Sequence, residues 1–311
     1  MNRTQIQDAA LRFETCPGLI RRTPLWKLPG TAFGVDVAEI WLKLEHMQAG
    51  GSFKARGMLY RLLSNDIPAS GVIVASGGNA AIATAVAAKA LGVACEVFVP
   101  TVSSAMKQAK LRELGAKVVV TGAVYAEALE ACLARQKETG ALLTHAYDQP
   151  EVVAGAGTLA QEIEQDGGLP GSVLVSVGGG GLIGGIAAWF EQRSRVVALE
   201  PELAPTLYEA RRAGEPVDVA VSGVAADSLG AKRVGTLAWD ITQRHVKDSL
   251  VLPDDDIRAA QLWLWKEMKL AVEASAAVGL AALRTGAYKP ARDEKVCLVI
   301  CGANLDPATI S

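Results

Sequence analysis

Gly50-Gly51-Ser52-Phe53-Lys54-Ala55-Arg56-Gly57 sets a lysine between a glycine-paired turn and a run, Ala55 to Leu63, that reads as a helix. Adjacent glycines open backbone conformations closed to other residues, so the turn can be tight. The stretch follows a short apolar-alternating run, Ile40-Trp41-Leu42-Lys43-Leu44-Glu45. The result is one lysine at the mouth of a helix. Taken out of water, a lysine is costly when charged, so its pKa falls and its amine becomes available as a base or a Schiff-base nucleophile. Read alone, the stretch also fits, and more often means, a surface lysine in the first turn of an ordinary helix.

Outward from that lysine the chain alternates. Gly71-Val72-Ile73-Val74-Ala75 is a continuous apolar run of the kind found in parallel strands buried on both faces, and it empties into Ser76-Gly77-Gly78-Asn79 and an alanine-rich helix. Strands are predicted at Cys95 to Val99, Lys117 to Thr121 and Leu142 to Tyr147, with helices at Ser104 to Leu114 and Ala123 to Gln136 between them. A second lobe begins near Asp148-Gln149-Pro150: helix Val152 to Gln165, strand Ser172 to Val177, Gly178-Gly179-Gly180-Gly181, and a helix from Leu182. Arg195 to Leu199 and Val296 to Ile300 read as further strands, Asp256 to Leu270 and Ser275 to Thr285 as helices. Alternating βα units of this size predict an α/β protein of two open, twisted parallel sheets with helices on both faces and a cleft between. Ahead of all this lie a helix from Thr4 to Thr15 and an irregular arm through Arg22-Thr23-Pro24-Leu25, where Pro24 marks a turn or edge segment.

The totals narrow the function. With 311 residues, half of them hydrophobic, the chain can bury a substantial core. A net charge of −2 without any Lys/Arg block lacks the footprint of a nucleic-acid binder. The opening is charged and has no apolar core, and the longest apolar stretch, Ala80 to Pro100, is alanine-rich and broken by Lys89 and Glu96, so neither a secretory signal nor a membrane span is expected. Five cysteines without C-x-x-C spacing suggest neither a disulfide framework nor a zinc site, and a cytoplasmic location is expected. A small, roughly neutral ligand fits best.

Four consecutive glycines between a strand and a helix place bare N–H groups at the positive end of a helix dipole, which makes a phosphate site. The run is neither G-x-G-x-x-G nor G-x-x-x-x-G-K-[ST], so the dinucleotide and P-loop readings lose their fingerprints. Ser76-Gly77-Gly78-Asn79 occupies the corresponding strand end of the other lobe, where a helix start can take a carboxylate and the Asn79 amide can orient a phenolic oxygen, or where Ser76 or Asn79 is simply a helix cap. Cys297 and Cys301 share a strand face, and Cys301 lies at the carboxyl end where α/β ligands sit. The three histidines are dispersed and read as structural or exposed, and the carboxylates form no obvious acid/base pair.

In this order, Arg22-Thr23-Pro24-Leu25, Lys43-Leu44-Glu45, Gly51 to Gly57, Ser76-Gly77-Gly78-Asn79, Gly155-Ala156-Gly157-Thr158, Gly178 to Leu182, Glu200-Pro201, Val272-Glu273 and Cys301-Gly302-Ala303-Asn304 resemble the fold type II pyridoxal-phosphate enzymes of the serine/threonine dehydratase and serine racemase group. The resemblance implies pyridoxal 5'-phosphate held by Lys54 as a Schiff base, flanked by Phe53, with Asn79 on the ring hydroxyl and Cys301 facing the ring nitrogen. Backbone N–H groups of Gly178, Gly179, Gly180, Gly181 and Leu182 would hold the phosphate, and Ser76, Gly77, Gly78, Asn79 and Ala80 the substrate. It also implies a homodimer, and a discontinuous large domain (residues 1–47 and 149–311) that binds the cofactor, around a small one (48–148).

The implied activity is an ammonia-lyase that takes a β-hydroxy amino acid such as L-serine or L-threonine to the 2-oxo acid and ammonia. Gly77 stands where racemising members place a second serine, and Ala80 where the bacterial threonine enzymes carry histidine, which tilts the reading toward the serine dehydratases. Thr206 stands where a divalent-metal pattern after Glu200 would need a carboxylate, so no metal is expected, and the chain stops soon after Asn304, leaving no room for a regulatory domain. Ala80 and Ala156 suggest room near the substrate. The alternatives are a racemase or β-replacement enzyme of the same fold, or a non-catalytic binder of the cofactor or of amino acids.

Overall fold

Ten strands form two sheets in the structure, a computed structural model that describes residues 1–310. In chain order the strands are β1 (Leu25–Pro29), β2 (Glu39–Lys43), β3 (Val72–Ala75), β4 (Cys95–Val99), β5 (Lys117–Val120), β6 (Leu142–Thr144), β7 (Ser172–Ser176), β8 (Arg195–Pro201), β9 (Val246–Leu252) and β10 (Lys295–Val299). The six-stranded sheet runs β1-β2-β10-β7-β8-β9 and is parallel except for the β1–β2 pair; the four-stranded sheet, β5-β4-β3-β6, is parallel throughout.

The apolar runs bury as their pattern demands. On β3 and β4, Val72, Val74, Val97 and Val99 face one cluster while Ile73, Ala75 and Phe98 face another, so helices must cover both sides of the small sheet. β7 and the helix Gly181–Phe190 are buried at every position, at the centre of the larger core.

Two strands go beyond the expectation of a turn or edge segment at Pro24. The arm after Pro24 is an edge strand, Leu25–Pro29, antiparallel to β2, and its half-exposed pattern ending in a proline suits an edge that needs few donors. β9 closes the opposite edge, and its Lys247 and Asp248 break the apolar run by which buried strands are recognised. The helix Thr206–Ala213 and the helix Thr236–His245 that precede it fill a stretch the sequence reading left without elements.

Four of the quoted motifs meet at Arg56. Its Nε and Nη2 donate to the two oxygens of Glu45, both at 2.8 Å, while Nη1 and Nη2 donate to Glu162 at 2.7 and 2.8 Å. Nη1 also donates to Thr158 Oγ1, and Thr23 Oγ1 donates to Glu45. Lys43 Nζ donates to Glu162 and to the Thr23 carbonyl. Two cations and two carboxylates therefore balance in a site where the Arg56 and Glu45 side chains have 0 % exposure. The guanidinium reaches so far because the helices Lys54–Leu63 and Pro150–Gly167 touch backbone to backbone: a Cβ on Gly57 would lie 2.6 Å from the Val152 carbonyl, and one on Gly155 2.5 Å from that of Arg56.

Removing one partner of a buried ion pair strands the other charge. Arg56→Met should lower unfolding stability by about 3–5 kcal/mol, read as a shift of the urea midpoint in circular dichroism. An unchanged midpoint would show that the network does not hold the fold.

Candidate active site

The paired glycines turn as the sequence requires, with φ of 71° at Gly50 and 76° at Gly51. The turn is then stitched to the end of β10: Phe53 N–H donates to the Cys301 carbonyl at 3.0 Å, Ala303 N–H to Gly51 at 2.9 Å, and Asn304 Nδ2 to the Gly50 carbonyl at 2.7 Å. Lys54 opens its helix with its side chain directed at the last turn before the helix Pro150–Gly167, where Nζ donates to the Ala146 carbonyl at 2.5 Å. Burial lowers its pKa to about 8, against the opposing pull of Cys301 and Glu273. Phe53 sets its ring 5.2 Å from that amine.

Across the cavity lies the glycine run. Gly180 takes φ +89° and leads into the helix Gly181–Phe190, and no protein acceptor meets the N–H groups of Gly179, Gly180, Gly181 or Leu182 among the described residues. Side chains are excluded there, since a Cβ on Gly179 would lie 2.2 Å from the Tyr147 ring and one on Gly180 2.4 Å from the Ala238 methyl. A cradle of bare donors at a helix N-terminus, closed to any side chain, fits a phosphate. The cavity is lined by Phe53, Lys54, Asn79, the four glycines, Leu182 and Cys301, and also by Tyr147, Ser176, Ser228, Leu229, Glu273 and Ser275.

Asn79 is held by both ends of its amide. Nδ2 donates to both oxygens of Glu273 at 3.0 Å, and Oδ1 accepts from Asn304 Nδ2 at 2.7 Å. The contact with Glu273 engages one side of the NH2 group and leaves its second proton for a ligand. Glu273 is anchored in turn by Asn304 N–H and by Ser275 Oγ, and burial raises its pKa. Cys301 Sγ donates to Ser275 Oγ at 3.7 Å, and burial pushes its thiol up to about 12, so it presents a neutral group.

Ser76, Gly77, Gly78 and Ala80 do not line this cavity. Ser76 Oγ accepts from Gly78 N–H at 3.2 Å, and the helix Asn79–Leu91 starts with the N–H groups of Asn79, Ala80 and Ala81 unclaimed by protein acceptors. The Ala80 methyl packs with Met58, Ala83 and Val152, so what that residue can offer a substrate is its backbone N–H. Ala156 is likewise buried away from the cavity, and neither alanine makes room for a substrate side chain. His145 is structural: its Nδ1 accepts from Asp148 N–H at 3.0 Å, and burial lowers its pKa. No group of three metal-ligating side chains occurs among the described residues.

Residues 17–302 match the family model described as pyridoxal-phosphate dependent enzyme. The chain belongs to that family. Within it, the chain falls among the fold type II serine/threonine dehydratases, and it is a pyridoxal-phosphate-dependent lyase. It is 33% identical over 308 residues to the L-threonine ammonia-lyase of Thermotoga maritima, covering 97% of this chain and 76% of the relative. To the phenylserine dehydratase of Ralstonia pickettii it is 32% identical over 303 residues, covering 94% and 90%. The solved T.th. threonine deaminase superposes with a TM-score of 0.89 at 32% identity (98% and 99% covered), and maize serine racemase with 0.91 at 27% (100% and 95%).

The sequence reading missed Tyr147, Ser176, Ser228, Leu229 and Ser275, and gave Glu273 and Asn304 no role. One signal was available, because a glutamate isolated in Ala271-Val272-Glu273-Ala274 is a charge in an apolar run. Two outcomes are expected. Gly179→Ala should abolish retention of pyridoxal phosphate, read as loss of visible absorbance after gel filtration. Uptake of the cofactor by apo-protein should accelerate as pH rises through about 8 and then level off, because only the neutral Lys54 amine is nucleophilic. A rate that is flat with pH would contradict that.

Proposed function

We propose that this lyase dehydrates a small β-hydroxy L-amino acid, L-serine or L-threonine, to a 2-oxo acid and ammonia, with Lys54 as the catalytic base. The carrying observation is the Lys54 amine, buried opposite the bare glycine N–H groups with its pKa near 8. Pyridoxal phosphate, when bound, supplies an electron sink for the electrons of the substrate's Cα–H bond. The chain supplies the rest. Gly179 to Leu182 would offer four donors to the phosphate, and Asn79 would donate to the ring oxygen. The N–H groups at the start of the helix Asn79–Leu91, beside Ser76, take the substrate carboxylate and set Cα in reach of Lys54. A neutral amine in this pocket can then remove the Cα proton near neutral pH. The Cys301 thiol, neutral and a weak donor, would leave a ring nitrogen facing it unprotonated, so the chain supplies no acid there.

A second reading, racemisation, has one observation in its favour. Ser103 Oγ is buried without a hydrogen-bond partner and would lie 2.9 Å from a Cβ on Gly77, so it could carry the proton on the opposite face. We read the two sheets as the cores of a large domain (1–47 and 149–311) and a small one (48–148), which the origin of their strands supports. A cytoplasmic homodimer completes the reading; the five unpaired cysteines accord with a reducing compartment. No helix is long and apolar enough to cross a membrane among the described residues.

L-Serine, L-threonine and 3-phenylserine should be offered to the holoenzyme, with 2-oxo acid as readout and chiral chromatography of the remaining amino acid. Release of 2-oxo acid from serine or threonine, abolished in Lys54→Ala, is expected. D-serine formed without pyruvate would overturn dehydration in favour of the second reading.

A further inference from the structure

The glycine cradle has a second support that the reaction itself does not use. Gly178 opens the run, and its carbonyl accepts a hydrogen bond of 2.6 Å from Thr206 Oγ1. The same hydroxyl lies 3.0 Å from Glu200 Oε1. Glu200, at the end of β8, is itself pinned: Leu207 N–H donates to Oε1 at 2.7 Å and Tyr208 N–H to Oε2 at 2.8 Å, at the start of the helix Thr206–Ala213. Thr206 and Glu200 are both fully buried, so no water substitutes for these contacts.

One hydroxyl proton serves both contacts. A carbonyl can only accept, so the Thr206 hydroxyl is the donor to Gly178, and this shorter contact takes the larger share of its single proton. The Thr206–Glu200 contact is the longer of the two, so the hydroxyl leans toward the carbonyl while staying against the carboxyl, whose pKa burial raises to about 7. The oxygens of Glu200 are already engaged by two N–H groups and a hydroxyl, and Thr206 brings no carboxylate. A divalent cation does not fit here.

We propose that Thr206 is a positioning residue for the phosphate cradle, joining the anchored Glu200 carboxyl to the Gly178 carbonyl through its one hydroxyl proton. The brace fixes the peptide plane at which the glycine run leaves β7. The N–H groups of Gly179 to Leu182 are thereby aimed before the phosphate arrives. The proposal rests on the assignment of those N–H groups to the phosphate.

Thr206→Val keeps the shape and removes the hydroxyl, and Thr206→Ser restores it. With pyridoxal phosphate as the probe, Thr206→Val should weaken cofactor binding about tenfold, the worth of one buried hydrogen bond, and should shift the phosphorus-31 resonance of the bound cofactor. Thr206→Ser should return both to wild-type values, and a chelator should leave the wild type unaffected. Wild-type affinity and resonance in Thr206→Val would overturn the brace. So would equal losses in Val and Ser, which mean packing alone, or cofactor release from wild type on chelation, which means a cation holds the loop. A wild-type protein that takes up no cofactor would instead sink the underlying assignment.

Discussion

A guanidinium without contact to water fixes where the reactive lysine can be. Arg56 stands two residues beyond Lys54 on one helix, and it is clamped between Glu45, just past β2, and Glu162, on the helix Pro150–Gly167. Desolvating such a group is costly, and only full pairing offsets it. The four charges can therefore settle in one arrangement, and that arrangement sets the first turn of the Lys54 helix. Much of the length of motif around the lysine serves this anchoring rather than any contact with a ligand.

Inside the cavity the strategy reverses. Burial works against full charge there: it lowers the Lys54 pKa to about 8, keeps the Cys301 thiol protonated and raises the pKa of the Glu273 carboxyl. Apart from Lys54 and Glu273, polar contacts there are made by hydroxyls, amides and peptide N–H groups. Such groups orient a ligand without adding a field that would compete with its own charge. The buried ion-pair network thus lies about one helical turn behind the chemistry.

The βα alternation could be read because β3, β7 and the interior of β8 and β10 are buried on both faces and so leave apolar runs, and β4 is interrupted only at Glu96. The edges β1 and β9 could not, since half-exposed strands mix Lys27, Lys247 and Asp248 into their pattern. The same divide runs through the site. Lys54 and the tetraglycine turn announce themselves by backbone demands that few sequences meet. Tyr147, Ser176 and Ser275 do not, because ordinary residues become a cavity wall only when three distant segments converge. Thr206 was noticed only for the side chain it lacks, while its single hydroxyl is what joins two buried groups.

The pairing of β2 with β10 sets an order of events during synthesis. Glu39 to Lys43 lie in register with Lys295 to Val299, and the turn at Gly50 and Gly51 is sewn to Ala303 and Asn304 just beyond. The strands of the four-stranded sheet all come from residues 72–144 and can pair early. A nascent chain short of β10 must leave β2 with only β1 beside it, and the lysine turn without the segment it is sewn to, on the ribosome. The lysine nearest the beginning of the machinery thus waits for the last strand to be made, so a chain interrupted late would be furnished with a lysine and a glycine cradle yet have no catalytic centre.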